Sequence, residues 1–133
     1  MRREYRVDGL QKPISHYTDA VRFNDLVFIS GLAPFDENDR LVGGDDAGAQ
    51  ARQIFENMRK VLDAVGAHFS DILKVTVFLT NVEDRTRINP VRQEFFGSSR
   101  PASTLVGVKE LALPGMKVDI EAVVGLKAQP RRG

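Results

Sequence analysis

The sequence contains no cysteine. That excludes disulfides, thiolate nucleophiles and cysteine-ligated metal sites together. It lacks an excess of either charge: 19 basic and 18 acidic residues leave a net charge of +1. A phosphate backbone or an anionic lipid surface needs a clustered positive excess, so neither nucleic acid nor membrane is expected as a partner. The one basic cluster, Arg131-Arg132, reads as a tail. No apolar run approaches the roughly 20 residues of a membrane-spanning helix. The opening "MRREYRVDGL" carries no apolar segment behind its charges, unlike a secretory signal. The expected location is therefore the cytoplasm. Familiar catalytic patterns are missing too. His16 and His68 have no partners at metal-ligand spacing. "GGDDAG" (43–48) lacks the lysine and the spacing of a phosphate-binding loop. "FISGL" (28–32) does not match the turn that presents a nucleophilic serine. No internal repeat, low-complexity segment or domain-dividing linker is visible.

What is present fits one soluble domain of 133 residues, 42% hydrophobic and 28% charged. "RREYRV" (2–7) reads as a short strand. "AVRFNDLVFISG" (20–31) reads as two strands joined at Asn24-Asp25, the second holding a continuous apolar run, Leu26 to Ile29, suited to cover on both faces. Residues 34–45 are rich in Asp, Asn and Gly and read as a loop. From Ala47 to Val65, Ile54, Met58, Val61, Leu62 and Val65 recur at helical spacing, with Asp45 or Asp46 as the N-cap and Gly66 as the stop. "DILKVTVFLT" (71–80) alternates as a strand. A second helix is predicted over roughly 83–96, with Pro90 either in its first turn or kinking it. Strands 102–111 and 116–128 close the chain, joined through Pro114-Gly115. The order β-β-β-α-β-α-β-β predicts an α+β layer in which two helices cover one face of a mixed sheet. The other face keeps apolar residues and should meet another subunit.

Four places could carry chemistry. Glu121 interrupts the apolar strand "KVDIEAVVGL" and shares a face with Asp119 and Val123. It either faces solvent, paired with an arginine, or sits in a partly apolar cleft where it could hold a water or move a proton. Ser30-Gly31 ends a strand, where glycine permits close approach of a ligand or simply makes a turn. Asn89, near a helix start, either caps a turn or lines a site, and Tyr17 either packs or does the same. "RPASTLVGV" (100–108) opens a strand with the small polar pair Ser103 and Thr104.

In order along the chain, "HYTDAV" (16–21), "LVFISGLAP" (26–34), the helix-strand unit 50–84, "NPVRQEFFG" (89–97), "RPASTLVGV" and "VDIEAV" (118–123) resemble the reactive-intermediate deaminase family, RidA/YjgF. The resemblance runs over a core of about 15–128 within a single domain of 1–133, leaving 129–133 as a tail. It implies a chorismate-mutase-like fold assembled as a homotrimer with clefts between subunits. It implies hydrolysis of enamines or imines, such as 2-aminoacrylate, to oxo acids and ammonia, with no cofactor and no metal. Carried over by position, Glu121 matches the residue that positions water. Tyr17, Ser30, Gly31 and Asn89 match the pocket around it, with Ser103, Thr104 and the backbone of Leu105 as its floor. Within that trimer Glu121 is then expected to lie at least half buried beside Ser30, Gly31 and Ser103. The family pattern reads Pro-Ala-Arg where this chain has Pro101-Ala102-Ser103, so the arginine that grips a substrate carboxylate is missing. Arg100 lies on the far side of Pro101. The resemblance with that departure implies a smaller, neutral floor and a substrate nearer to 2-aminomuconate than to 2-aminoacrylate. The competing reading is a non-enzymatic trimer that binds a small metabolite in the same clefts.

Overall fold

A computed structural model describes residues 1–127. Arg131-Arg132, the tail at 129–133 and the last residue of the final predicted strand lie outside the described residues. Six strands form one sheet: β1 (Arg2–Tyr5), β2 (Ala20–Phe23), β3 (Leu26–Leu32), β4 (Ile72–Leu79), β5 (Ala102–Gly107) and β6 (Val118–Gly125). Helix α1 (Ala47–Val65) links β3 to β4, and α2 (Arg85–Phe96) links β4 to β5. The spatial order is β1-β2-β3-β6-β4-β5. β4 and β5 are parallel and every other pair is antiparallel. The architecture is thus the mixed α+β layer read from the sequence.

The topology explains why one face stays bare. β3 and β4 are both antiparallel to β6, so they are parallel to each other. The crossovers β3-α1-β4 and β4-α2-β5 therefore step in the same direction across the sheet. Right-handed crossovers that step the same way put their helices on the same side. Under those helices Val27, Val77, Leu79, Val118, Ile120 and Val124 are completely buried. On the opposite face Phe23, Leu26, Phe28 and Leu73 are 40–54% exposed. Within one chain the run Leu26–Ile29 is therefore covered on one face only, not on both as its composition predicts.

α1 has the predicted bounds. Asp46 is the cap, accepting from the backbone N–H of Gly48 at 2.8 Å and of Ala49 at 3.3 Å. Gly66 stops the helix at φ +76°, a left-handed conformation that favours glycine. α2 is shorter than predicted because Val82–Asp84 form a 3-10 turn ahead of it. Pro90 lies in the interior of α2 rather than in its first turn, and the helix runs on through it. Pro90 and Thr86, whose carbonyl loses its partner, are both on the exposed side, so water can take the place of the missing N–H. β1, β4, β5 and β6 are shorter than predicted, by two residues or more each, their expected ends among the described residues lying in turns and loops. No helix among the described residues is long and apolar enough to cross a membrane.

Candidate active site

The end of β3 is held from the side by the segment that enters β2. Ser30 donates its N–H to the Asp19 carbonyl at 3.0 Å and its hydroxyl to the Thr18 carbonyl at 2.5 Å. Asp19 is itself buried, paired with Arg6 and accepting from the Val7 N–H at 2.7 Å. This anchoring fixes a break in register between β3 and β6, between Ile29 and Leu32. Tyr17, Ser30 and Gly31 line one small cavity there, of about 40 Å³. Gly31 is needed for a specific reason: a Cβ at this position would lie 2.5 Å from Asp119 Oδ1.

Asp119 was not among the candidates, although the alternation in β6 puts it on the same face as Glu121. It sits opposite Phe78, while Glu121 sits opposite Thr76, which in turn sits opposite Thr104. Thr104 accepts a hydrogen bond from Lys74 Nζ at 2.7 Å. The open face therefore carries two carboxylates in consecutive rows, bordered by threonine and apolar side chains. Burial pushes the Asp119 carboxyl up to about 6, and the charge of Glu121 adds to the effect. The native chain thus binds this proton more tightly than the unfolded chain does. The stabilisation is complete below the ordinary value of 3.8 and is lost as pH rises through about 6. Asp119→Asn is expected to gain on the wild type by up to about 3 kcal/mol between pH 4 and pH 7. Denaturant unfolding of both proteins at the two pH values checks this, and a pH-independent difference would contradict it.

The β5 residues divide between the two faces. Ser103 and Leu105 sit opposite Val75 and Val77, which are buried beneath the helices, so their side chains face α2. Thr104 faces the open side. Asn89 lies in the middle of α2 and not at a helix start, so it caps nothing. With Arg92 it lines two adjoining cavities, of about 340 and 300 Å³, between α2 and β5. Leu105 lines the first and Ser103 the second. Arg92 Nη2 donates to Ser103 Oγ at 3.0 Å, and burial lowers the Arg92 pKa. The floor beside Ser103 is therefore not neutral, contrary to the reading from sequence.

Within one chain the expected residues fall into three groups. Tyr17, Ser30 and Gly31 cluster at the end of β3; Glu121 and Thr104 lie on the open face; Asn89, Ser103 and Leu105 lie under α2. β3 and β5 are separated by β6 and β4, a span of roughly 14 Å at ordinary strand spacing. Glu121 is exposed in the single chain, so the contact with Ser30, Gly31 and Ser103 expected within the trimer is not made by one chain alone. The reason is topological: the residues come from both faces of the sheet, and one chain cannot fold its sheet back on itself.

A family model described as Endoribonuclease L-PSP matches residues 9–126. A 2-iminobutanoate/2-iminopropanoate deaminase of Dermatophagoides farinae is 37% identical over 113 residues, 85% of this chain and 88% of that protein. The chain belongs to the RidA/YjgF family. Another RidA/YjgF relative, the 3-aminoacrylate deaminase RutC of Acinetobacter baylyi, is 33% identical over 116 residues, 87% of this chain and 91% of that protein. The crystal structure of the E. coli YjgF gene product superposes with a TM-score of 0.86 at 26% identity, covering 94% of this chain and 99% of that one. The RidA/YjgF fold thus accounts for nearly all of the described chain, including all three groups of candidate residues.

Proposed function

We propose that the protein is a hydrolytic deaminase of an enamine or imine metabolite, working in clefts between the copies of a homotrimer. The observation that carries this reading is the carboxylate pair, Asp119 and Glu121, on a sheet face that the chain itself leaves uncovered. The names of the Dermatophagoides and Acinetobacter relatives support the reaction class. An enamine first takes a proton at carbon to become an iminium ion. A water oxygen then bonds to the iminium carbon, the C=N π pair moves to nitrogen, and one proton of the water passes to Glu121. Glu121 returns that proton to nitrogen; the remaining hydroxyl proton is then given up as the carbonyl forms, replacing the one taken at carbon, and the C–N bond breaks to release ammonia. Asp119, its carboxyl raised to about 6 by burial, supplies a proton beside the same site. The cavities between α2 and β5 have room for a carbon chain longer than that of 2-aminoacrylate, which supports a substrate of the 2-aminomuconate type. Ammonia release over a panel of enzymatically generated imines of increasing length tests the reading. Release that is greatest for the longer members supports it. Saturable binding without ammonia release from any member would favour the non-enzymatic binding module.

The trimer rests on the exposed Phe23, Leu26, Phe28 and Leu73, which form one side of the sheet. Light scattering is expected to give about three times the 14.8 kDa chain mass. Phe28→Asp, which sets a charge in the middle of that face, is expected to give single chains. A wild-type protein that stays monomeric at micromolar concentration would remove both the trimer and the intersubunit cleft.

A further inference from the structure

Ser103 stands where the family pattern has an arginine, yet a guanidinium occupies the space beside it. It comes from a different element. Arg92 projects from α2, is partly buried, and donates through Nη2 to Ser103 Oγ at 3.0 Å. Together with Asn89 it borders both cavities between α2 and β5. Arg85 lines the first cavity and Arg100 the second, and no Asp or Glu lines either.

The contrast with the other arginines is informative. Arg2, Arg6, Arg52, Arg59 and Arg87 each face a carboxylate: Glu4, Asp19, Glu94, Glu56 and Asp84. Arg3, Arg40, Arg85 and Arg100 have none but are exposed, and Arg22 donates to the Asn24 carbonyl. Among the described residues Arg92 makes no ion pair, and its one hydrogen bond goes to a neutral hydroxyl. Burial without a counter-ion is also what lowers its pKa. A partly buried cation facing open volume is a binding element for an anion, because part of the cost of desolvation is already met and the remaining N–H donors are unused. The fork of a guanidinium suits a carboxylate in particular. Ser103 has two uses here. Its small side chain leaves room for Arg92, and its Oγ fixes one guanidinium nitrogen while its own proton stays available to a ligand oxygen. Arg100 is the weaker candidate, since it is exposed and borders only one of the cavities.

We infer that Arg92 holds the substrate carboxylate in this chain, the cation having moved from strand β5 to helix α2 with Ser103 as its support. The inference rests on the deaminase reading for the identity of the ligand, an oxo or imino acid, but it is tested by binding alone. The probes are 2-oxobutanoate and its uncharged amide, titrated by calorimetry into the wild type, Arg92→Gln, Arg92→Lys and the double variant Arg92→Gln/Ser103→Arg. The wild type should prefer the acid to the amide. Arg92→Gln should weaken acid binding on the order of 100-fold, the loss of two charge-assisted hydrogen bonds, and leave amide binding unchanged. Arg92→Lys should fall in between, because an ammonium keeps the charge and loses the fork. The double variant should recover about tenfold or more, with the cation returned to the strand. Ser103→Arg alone sets two guanidiniums together and should weaken acid binding.

A purely structural Arg92 would lower acid and amide binding alike, and that result would overturn the inference. So would a wild type without preference for the acid, or an Arg92→Gln protein that binds it as the wild type does. If Arg92→Gln fails to fold, equal acid-to-amide ratios in Arg92→Lys and the wild type overturn the inference. Arg92-dependent acid binding without ammonia release from any imine would instead sink the deaminase reading and leave this inference standing.

Discussion

Glu121→Gln is expected to reduce ammonia release by about 100-fold to 10,000-fold, the range for losing a positioned acid-base group. The loss should fall on kcat, with KM little changed, because the amide keeps the size and polarity of the carboxylate and loses only the capacity to take the proton from water. The substitution should leave the fold intact. Glu121 is exposed in the single chain, and its carboxylate accepts no hydrogen bond from another described residue that would hold the sheet together. A second readout does not depend on activity. The charge of Glu121 contributes to the raised pKa of Asp119, so Glu121→Gln should move the Asp119 titration down towards its ordinary range. That shift, followed by NMR, would show that the two carboxylates are electrostatically linked. A variant with kcat within about tenfold of wild type would assign the proton transfers elsewhere, with Asp119 the next residue to replace.

The local parts of this molecule were legible in the sequence, and the parts that needed two distant segments were not. α1 could be read to its end residues because the apolar stripe, the capping aspartate and the stopping glycine are all within one stretch of chain. The bare sheet face followed from counting helices. Gly31 read either as a strand end open to a ligand or as a turn; its requirement comes instead from the Asp119 carboxylate packed over it, from a strand 88 positions later in the chain. Asn89 looked like a turn cap because the start of the second helix was uncertain and Pro90 suggested a helix beginning. Arg92 carried no signal at all. An arginine on a helix is ordinarily a solvated side chain, and only the packing of α2 over β5 brings it to Ser103. Gln50 shows the same limit in the core. It falls on the buried face of α1, where its side chain donates to the Gly44 and Gly115 carbonyls and accepts from the Lys117 N–H. It thereby ties the loop before α1 to the segment entering β6, over 65 residues away.

Phe55→Ala is expected to cost about 3–5 kcal/mol of stability, the range for truncating a fully buried phenylalanine. Phe55 is 1% exposed and is the largest of the fully buried side chains. Its ring centroid lies 6.2 Å from that of Phe69, 5.3 Å from Phe95 and 5.7 Å from Phe96. Those three rings belong to the turn before β4 and to the last residues of α2, so Phe55 is where α1 meets both. Its loss leaves a cavity that the surrounding rings can close only by shifting α2. For a chain of this size the midpoint of thermal unfolding should fall by roughly 10–20 °C. Phe55→Leu, which keeps most of the volume, should cost much less. The position of α2 also links this core residue to the site, because α2 carries both Asn89 and Arg92. At a temperature where Phe55→Ala is still folded, affinity for 2-oxobutanoate should therefore fall, while the raised pKa of Asp119, on the far face of the sheet, should be retained. A Phe55→Ala protein that melts within about 3 °C of the wild type, an effect smaller than 1 kcal/mol, would show that the four rings do not form the joint between the two helices.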